Sequence, residues 1–180
     1  MAIERREISD EQIQRQEGIC REIQQTISAS HRPPLAMVDT YGCQQNEADS
    51  EKIRGYLEEM GYQFTEDEYQ ADVIVINTCA VREHAEQRVY GNVGALVHTK
   101  KKKPDQIVAV CGCMVQQEHV SAKLKKSYPV VDMVFGPHEL WRFPELLQTV
   151  MQTKKRVFAT DPSQGVSAEG IPQQRDSRTK

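Results

Sequence analysis

Short apolar runs alternate along the chain with longer segments in which apolar residues recur at helical spacing. Residues 35–38, 73–76 and 107–110 are apolar throughout, as in strands that are covered on both faces. A helical pattern follows each run. This alternation predicts an α/β fold, with an open, mostly parallel sheet and helices on both faces, of the flavodoxin-like or Rossmann-like kind.

Further elements follow from the same pattern. The first helix of this region is expected to begin near Asn46 or Asp49, either of which can cap it. In the next helix, Gly91 and Gly94 indicate close packing against a neighbour. Pro144 fits only a first helical turn, so the last helix starts there or is kinked. The remaining predicted elements are a short peripheral strand at 62–64, a strand at 130–135, a helix at 137–150 and an edge strand at 156–159.

The two ends of the chain differ from its middle. Residues 1–34 are charged and rich in glutamine, and isoleucines four residues apart predict an amphipathic helical extension that carries Cys20. Residues 35–160 form the predicted domain. Residues 161–180 are rich in Ser, Gln, Gly, Pro and charge, which indicates a linker or disordered tail.

Length and charge set broad limits. The chain has 180 residues and a net charge of −3, which argues neither for nor against nucleic acid. No apolar run reaches the length of a membrane span, and the N-terminus has no apolar signal core. We therefore expect a cytoplasmic, monomeric protein with no membrane partner.

Three of the five cysteines share a position. Cys43, Cys79 and Cys113 each follow a predicted strand, and about one βα unit separates each from the next. The carboxyl ends of parallel strands meet at one edge of a sheet, where open α/β proteins bind their ligands. The sequence therefore predicts that the three cysteines converge there. In a reducing compartment, such cysteines are ligands or catalysts more often than disulfides.

Converging thiolates can bind zinc or an iron–sulfur cluster, and the residues alone do not decide between them. Gly42 and Gly112 precede two of the cysteines and would let the backbone wrap closely around an inorganic centre. Three protein ligands would leave one iron of a four-iron cluster open. Cys111 is a candidate fourth ligand, although its place inside the strand favours core packing. His84 and His138 are alternative ligands, but isolated histidines are typical of surface or capping positions.

The lysine run Lys100–Lys103 ends the long central helix. It can bind phosphates, or it can complement the negative end of the helix and keep the surface hydrated. Both interpretations stay open at this point.

Several separated motifs resemble one family. They are residues 40–46 with 49–51, residues 77–83 with 85–86, residues 91–94, and residues 110–114 with 116. In order and spacing they resemble the N-terminal domain of methylthiotransferases. The segments that hold Cys79 and Cys113 are closest to the tRNA branch, of the MiaB type. The resemblance covers about residues 35–160.

The resemblance implies a radical S-adenosylmethionine transferase with two four-iron clusters. It implies that Cys43, Cys79 and Cys113 hold an auxiliary [4Fe-4S] cluster, and that S-adenosylmethionine and a second [4Fe-4S] cluster bind elsewhere in the full-length enzyme. The implied reaction adds a methylthio group to carbon 2 of N6-(dimethylallyl)adenosine beside the anticodon. The implied partners are the tRNA anticodon stem-loop and a sulfur donor. No catalytic residue is assigned to this chain.

The sequence departs from the family in one respect. It contains no Cys-x-x-x-Cys-x-x-Cys motif for the radical cluster. The chain therefore resembles a fragment, which we expect to bind the auxiliary cluster but to be inactive alone. The family gives the lysine run more weight as an RNA-facing patch. Two alternatives are a methylthiotransferase for a ribosomal-protein aspartate and a non-catalytic α/β module that binds zinc or RNA.

Overall fold

One sheet of seven strands forms the centre of the fold. The computed structural model describes residues 8–42, 44–79, 85–160 and 167–168. The strands are β1 (Leu35–Thr40), β2 (Gln63–Phe64), β3 (Val73–Thr78), β4 (Ile107–Gly112), β5 (Met133–Phe135), β6 (Val157–Ala159) and β7 (Ser167–Ala168). The helices are α1 (Asp10–Ser28), α2 (Gln44–Glu59), α3 (Ala85–Lys102), α4 (Glu118–Ser127) and α5 (Phe143–Thr153), with 3₁₀ helices at Cys113–Gln116 and Pro137–Arg142.

The strand order is β2-β1-β3-β4-β5-β6-β7, and all neighbouring pairs are parallel except β6 with β7. The first five strands follow the flavodoxin-like order, which confirms the predicted fold class. In this order the chain runs from β1 to β2 on one side and then crosses to β3 on the other. The space above the carboxyl ends of β1 and β3 is therefore the topological switch point, the usual ligand position in such sheets.

Helices cover both faces of the sheet. Val73 and Val75 of β3 belong to the apolar layer under α1, α2 and α5, whereas Ile74 and Ile76 belong to the layer under α3 and α4. All six residues of β3 are buried, which explains why its sequence is apolar rather than alternating. No helix in the described part of the chain is long and apolar enough to span a bilayer.

The N-terminal helix α1 packs on this domain. It begins with a capping box, in which Ser9 and Gln12 exchange side-chain and backbone hydrogen bonds. Its buried side chains Ile19, Cys20 and Ile23 join the layer under α2 and α5. The amide of Glu145 in the first turn of α5 donates to the side chain of Gln16. The predicted amphipathic helix is therefore present, and it contributes directly to the core.

Several boundaries differ from the prediction. Helix α2 starts at Gln44, so Asn46 lies inside its first turn and does not cap it. Strand β5 is shorter than expected, because Val130 and Val131 are buried in a turn closed by the Val131 amide and the Tyr128 carbonyl. Helix α5 begins at Phe143, so Pro144 lies in its first turn, as the sequence required.

Two other expectations need correction. Strand β6 is not the edge of the sheet, because β7 pairs with it on the outer side. Strand β7 comes from the predicted linker; residues 161–166 and 169–180 lie outside the described residues. A side chain at Gly91 would meet open space, so this glycine does not mark close packing. At Gly94 the nearest atom would belong to Tyr128, at 3.8 Å.

Two aspartates join the strands at the amino edge of the sheet. The carboxylate of Asp72, which precedes β3, accepts a hydrogen bond from the amide of Leu35 at 2.8 Å and one from Lys103 at 2.8 Å. The carboxylate of Asp132, which precedes β5, accepts from the amide of Val108 at 3.0 Å and from Lys100. Each aspartate therefore connects a neighbouring strand to the last turns of α3.

This arrangement assigns part of the lysine run. The side chains of Lys100 and Lys103 are 22% and 21% exposed and are engaged by the aspartates. Lys101 is exposed, and the ammonium of Lys102 lies 4.9 Å from the centre of the Tyr69 ring. The run lies at the amino edge of the sheet, about 20 Å, or one six-residue strand, from the edge where the cysteines lie. Lys100 and Lys103 are therefore engaged within the fold, in ion pairs that neither interpretation of the lysine run predicts.

We predict that Lys100→Ala lowers the free energy of unfolding by about 1–2 kcal/mol, because it leaves the partly buried carboxylate of Asp132 without its charged partner. The exposed neighbour Lys101 supplies the control, and Lys101→Ala should change stability by less than about 0.5 kcal/mol. Urea denaturation curves of the two variants measure the difference. Equal losses would show that the Lys100–Asp132 contact does not stabilise the fold.

Candidate metal centre at the carboxyl edge of the sheet

The strand register brings the cysteine-bearing turns together. Thr40 of β1 lies beside Asn77 of β3, and Thr78 lies beside Gly112 of β4. Cys79 is the first residue after β3, and Cys113 is the first residue after β4. These two cysteines therefore follow adjacent strands at the same edge. Cys43 lies outside the described residues, but the preceding Gly42 is described and fixes the position of that turn.

The turn after β1 packs directly on Cys79. Gly42 has a φ of +145°, which side chains rarely adopt, and a Cβ atom there would lie 2.4 Å from the Cβ atom of Cys79. The amide of Tyr41 donates to the carbonyl of Asn77 at 2.8 Å and extends the β1–β3 pairing into the turn. The backbone at Gly42 therefore lies directly against Cys79.

The turn after β4 packs on the same strand from the other side. Gly112 has a φ of +105°, and a Cβ atom there would lie 2.1 Å from the carbonyl oxygen of Thr78. The hydroxyl of Thr78 donates to the carbonyl of Cys111 at 2.8 Å. The sequence predicts that these glycines let the backbone wrap closely around a bound centre. In the structure, they allow one cysteine-bearing turn to contact the next.

A buried polar network lies beneath these turns. The amide nitrogen of Asn46 donates to the side-chain oxygen of Asn77 at 3.0 Å and to the carbonyl of Thr78 at 2.8 Å. The amide nitrogen of Asn77 donates to the carbonyl of Asn46 at 2.8 Å and to the hydroxyl of Ser50 at 3.0 Å. Ser50 in turn pairs with Thr40 at 2.7 Å. The network joins β1, α2 and β3 directly below the predicted site.

Sequence reasoning missed this network. It assigned Asn46 a possible capping role and gave Asn77 and Ser50 no individual role. The available signal was Asn77, a polar residue at the end of an apolar strand. A buried amide has to be hydrogen-bonded, so its position indicated a polar partner nearby.

The other two described cysteines lie in the core. Cys20 is 2% exposed, and burial, with Glu59 nearby, raises the pKa of its thiol to about 12. Cys111 is 1% exposed in the layer under α1, α2 and α5, and burial likewise raises the pKa of its thiol. Both belong to this apolar layer, whereas Cys79, although equally buried, and Cys113 follow the ends of strands. The predicted core packing of Cys111 agrees with this placement.

The alternative histidine ligands receive no support. His138 is exposed in the 3₁₀ helix after β5, and His84 lies outside the described residues. Within the described ranges, no group of three or more His, Cys, Asp or Glu residues is arranged to hold a metal ion. Because Cys43 is outside those ranges, the three-cysteine site stays a prediction.

An aromatic and basic cluster borders the site. The Tyr41 hydroxyl donates to the carboxylate of Asp39 at 2.7 Å and accepts from the amide of Asn92. The Arg88 guanidinium lies 5.6 Å from the centre of the Tyr41 ring. Burial, together with the bond to Asp39, raises the pKa of Tyr41 to about 12, so the phenol is neutral at physiological pH.

The fold and the turns define a flavodoxin-like domain with a candidate cysteine metal centre at the switch point. Residues 36–136 match the uncharacterized protein family UPF0004, and the chain belongs to this family. Its curated relatives include tRNA-2-methylthio-N(6)-dimethylallyladenosine synthases, in agreement with the resemblance to methylthiotransferases.

Three relatives illustrate the match. The synthase of Clostridium tetani is 49% identical over 143 residues, covering 79% of this chain and 32% of the relative. That of Alkaliphilus oremlandii is 46% identical over 168 residues, covering 93% of this chain and 35% of the relative. That of Acetivibrio thermocellus is 41% identical over 177 residues, covering 96% of this chain and 37% of the relative. The chain thus spans about a third of the length of these relatives.

We predict that Gly112→Ala lowers the free energy of unfolding by about 3 kcal/mol or more, because it combines a disfavoured φ with a backbone clash at Thr78. Gly91→Ala is the matched control, because Gly91 is exposed in α3 with open space around it. That change should stabilise the protein by about 0.5–1 kcal/mol. Thermal and urea unfolding measure both. A Gly112→Ala protein as stable as wild type would contradict the close contact between the turns.

Proposed function

We propose that this chain is the auxiliary [4Fe-4S] cluster domain of a radical S-adenosylmethionine tRNA methylthiotransferase. Cys43, Cys79 and Cys113 are its proposed cluster ligands. The observation that carries the proposal is the contact between the turns: Gly42 against Cys79, and Gly112 against Thr78. These contacts hold the chain on either side of Cys79 close to it at the switch point of the sheet.

The available donors fit such a cluster. Of the five cysteines, Cys20 and Cys111 are buried in the core, and Cys79 and Cys113 directly follow β3 and β4. Cys43 lies outside the described residues and is proposed as the third ligand. Soft thiolate ligands suit zinc or iron–sulfur centres. Three cysteine ligands favour a four-iron cluster with one iron left open over the four-ligand structural zinc sites. The names of the relatives support the iron–sulfur choice, because methylthiolation requires sulfur chemistry.

The residues of the chain would hold and orient the centre. Cys79 directly follows β3 and is 2% exposed, and Cys113 lies at the start of a 3₁₀ helix and is half-buried. The Asn46–Asn77 network fixes the backbone beneath them. Because the ligands have to be thiolates, binding releases their protons. When bound, a four-iron cluster with three protein ligands supplies one iron that is open to an outside ligand.

The substrate and the remaining chemistry follow from the relatives. We propose that the whole enzyme methylthiolates carbon 2 of N6-(dimethylallyl)adenosine in the tRNA anticodon loop. The names of the relatives support tRNA over a ribosomal-protein aspartate. S-adenosylmethionine and the second cluster are assigned to a part outside these 180 residues, because the sequence contains no Cys-x-x-x-Cys-x-x-Cys motif. The 180-residue chain alone is therefore proposed to be inactive.

Anaerobic reconstitution with iron and sulfide tests the ligand set. We expect about four irons and four sulfides per wild-type chain, and loss of the cluster absorption in Cys43→Ala, Cys79→Ala and Cys113→Ala. Cys20→Ala is the control, because Cys20 is buried in α1 and should leave the iron content unchanged. Circular dichroism of each apo-protein separates ligand loss from unfolding.

Two outcomes would contradict the ligand set. One is an equal loss of iron from Cys20→Ala. The other is stoichiometric zinc with no iron after reconstitution, which would support the non-catalytic binding module.

The tRNA assignment has its own test. Nucleoside analysis of tRNA from a strain that lacks the gene should show loss of the 2-methylthio group, with N6-(dimethylallyl)adenosine accumulating in its place. Unchanged methylthio-modified adenosine would exclude the tRNA role. The ribosomal-protein aspartate would then become the substrate to examine.

A further inference from the structure

The Tyr41–Arg88 pair lies next to the candidate metal centre. Tyr41 is two residues before Cys43, a distance of at most about 7 Å along the chain. The Arg88 guanidinium lies 5.6 Å from the centre of the Tyr41 ring. Asn92 is one turn after Arg88 on α3 and donates to the Tyr41 hydroxyl. The three side chains form one surface beside the carboxyl end of β1.

This surface is open on its outer side. Tyr41 packs against the apolar layer under α3 and α4, whereas Arg88 and Asn92 are exposed. Strand β2 pairs with Leu35 and Ala36 alone, so it does not extend along the carboxyl half of β1. A partner can therefore approach Arg88 from the side on which β1 ends.

The positive charge of Arg88 is not used within the described part of the chain. No ion pair joins Arg88 to a described carboxylate, and the nearby Asp39 carboxylate accepts the hydrogen bond of Tyr41. An exposed cation–π contact stabilises a protein only weakly. The geometry thus presents a flat, cationic group that is supported from below by an aromatic ring.

A second cation–aromatic pair, on the same face of the sheet, does not present a flat cationic group. The ammonium of Lys123 lies 4.2 Å from the centre of the Tyr90 ring. Tyr90 is 7% exposed, and its hydroxyl donates to the carboxylate of Glu86. An ammonium offers no flat surface, and the acidic neighbour opposes a phosphate. This pair is therefore a poorer contact for a nucleic acid.

We propose that Arg88, supported by Tyr41, is a stacking platform for an unpaired base of single-stranded RNA, with Asn92 at its edge. The choice of RNA rests on the proposed function. Proteins recognise RNA loops by stacking splayed bases on aromatic rings and guanidinium planes, and an arginine also attracts phosphates. A paired base is already stacked within its helix, so the platform favours loops over duplexes.

Binding of a labelled RNA hairpin tests the platform. The probe has a single-stranded loop that contains adenosines, and a blunt RNA duplex with the same stem serves as the comparison. Fluorescence anisotropy measures Kd for the 180-residue chain, before and after cluster reconstitution. Iron content is measured in the same samples, so that loss of RNA binding and loss of the cluster are scored separately.

Two substitutions at Arg88 distinguish stacking from charge. We expect Arg88→Ala to weaken binding of the hairpin by about tenfold, in line with the loss of one stacked base. Arg88→Lys keeps the charge but removes the planar group, so it should weaken binding of the hairpin nearly as much as Arg88→Ala does. Iron content should be unchanged in both variants.

Lys101→Ala is the matched control, because it removes one exposed positive charge at the opposite edge of the sheet. The Kd of Lys101→Ala for the hairpin should stay within about twofold of the wild-type value. The platform is disproved if Arg88→Lys binds as wild type does, or if hairpin and duplex bind equally well. Absence of RNA binding by a chain that holds its full iron complement would also overturn the platform, while leaving the proposed cluster domain intact.

Discussion

The close approach of Gly112 to Thr78 sets the geometry of the carboxyl edge. Strand β4 can end against β3 only because residue 112 has no side chain and adopts a φ of +105°. The same is true of Gly42 beside Cys79. These contacts place three turns closer together than strand pairing alone would. The candidate metal centre thus follows from backbone packing before any ligand is considered.

The two edges of the sheet are held by different means. At the amino edge, Asp72 and Asp132 join strands and bind Lys100 in the last turn of α3 and Lys103 directly after it, in contacts that remain partly exposed. At the carboxyl edge, uncharged amides and hydroxyls form a network in which only Thr40 is partly exposed, and the side chains of Asn46, Ser50 and Asn77 are at most 2% exposed. A site for thiolate ligands benefits from this difference. Neutral donors can support the backbone without adding charges that repel a thiolate or compete for the metal.

Much of the fold could be predicted from the sequence, because it depends on the regular spacing of apolar residues along the chain. The runs in β3 and β4 are buried and apolar on both faces, the run in β1 is apolar and partly buried, and the helices between them show a clear apolar side. Boundaries were less accurate where tertiary contacts decide them. Asn46 would cap an isolated helix, but its buried bonds to Asn77 and Thr78 place it inside α2. Strand β7 pairs through two residues, too few to produce a sequence pattern.

The different placements of Cys111 and Cys113 could not be predicted from the alternation of residues along a strand. In a continuous strand, residues two apart share a face, so Cys111 and Cys113 would both point toward the α1, α2 and α5 layer or both away from it. The backbone at Gly112 ends this alternation, because its positive φ is followed at once by a 3₁₀ helix that begins with Cys113. Cys111 can therefore remain in the core while Cys113 leaves it. One glycine between two cysteines separates a packing role from a proposed ligand role.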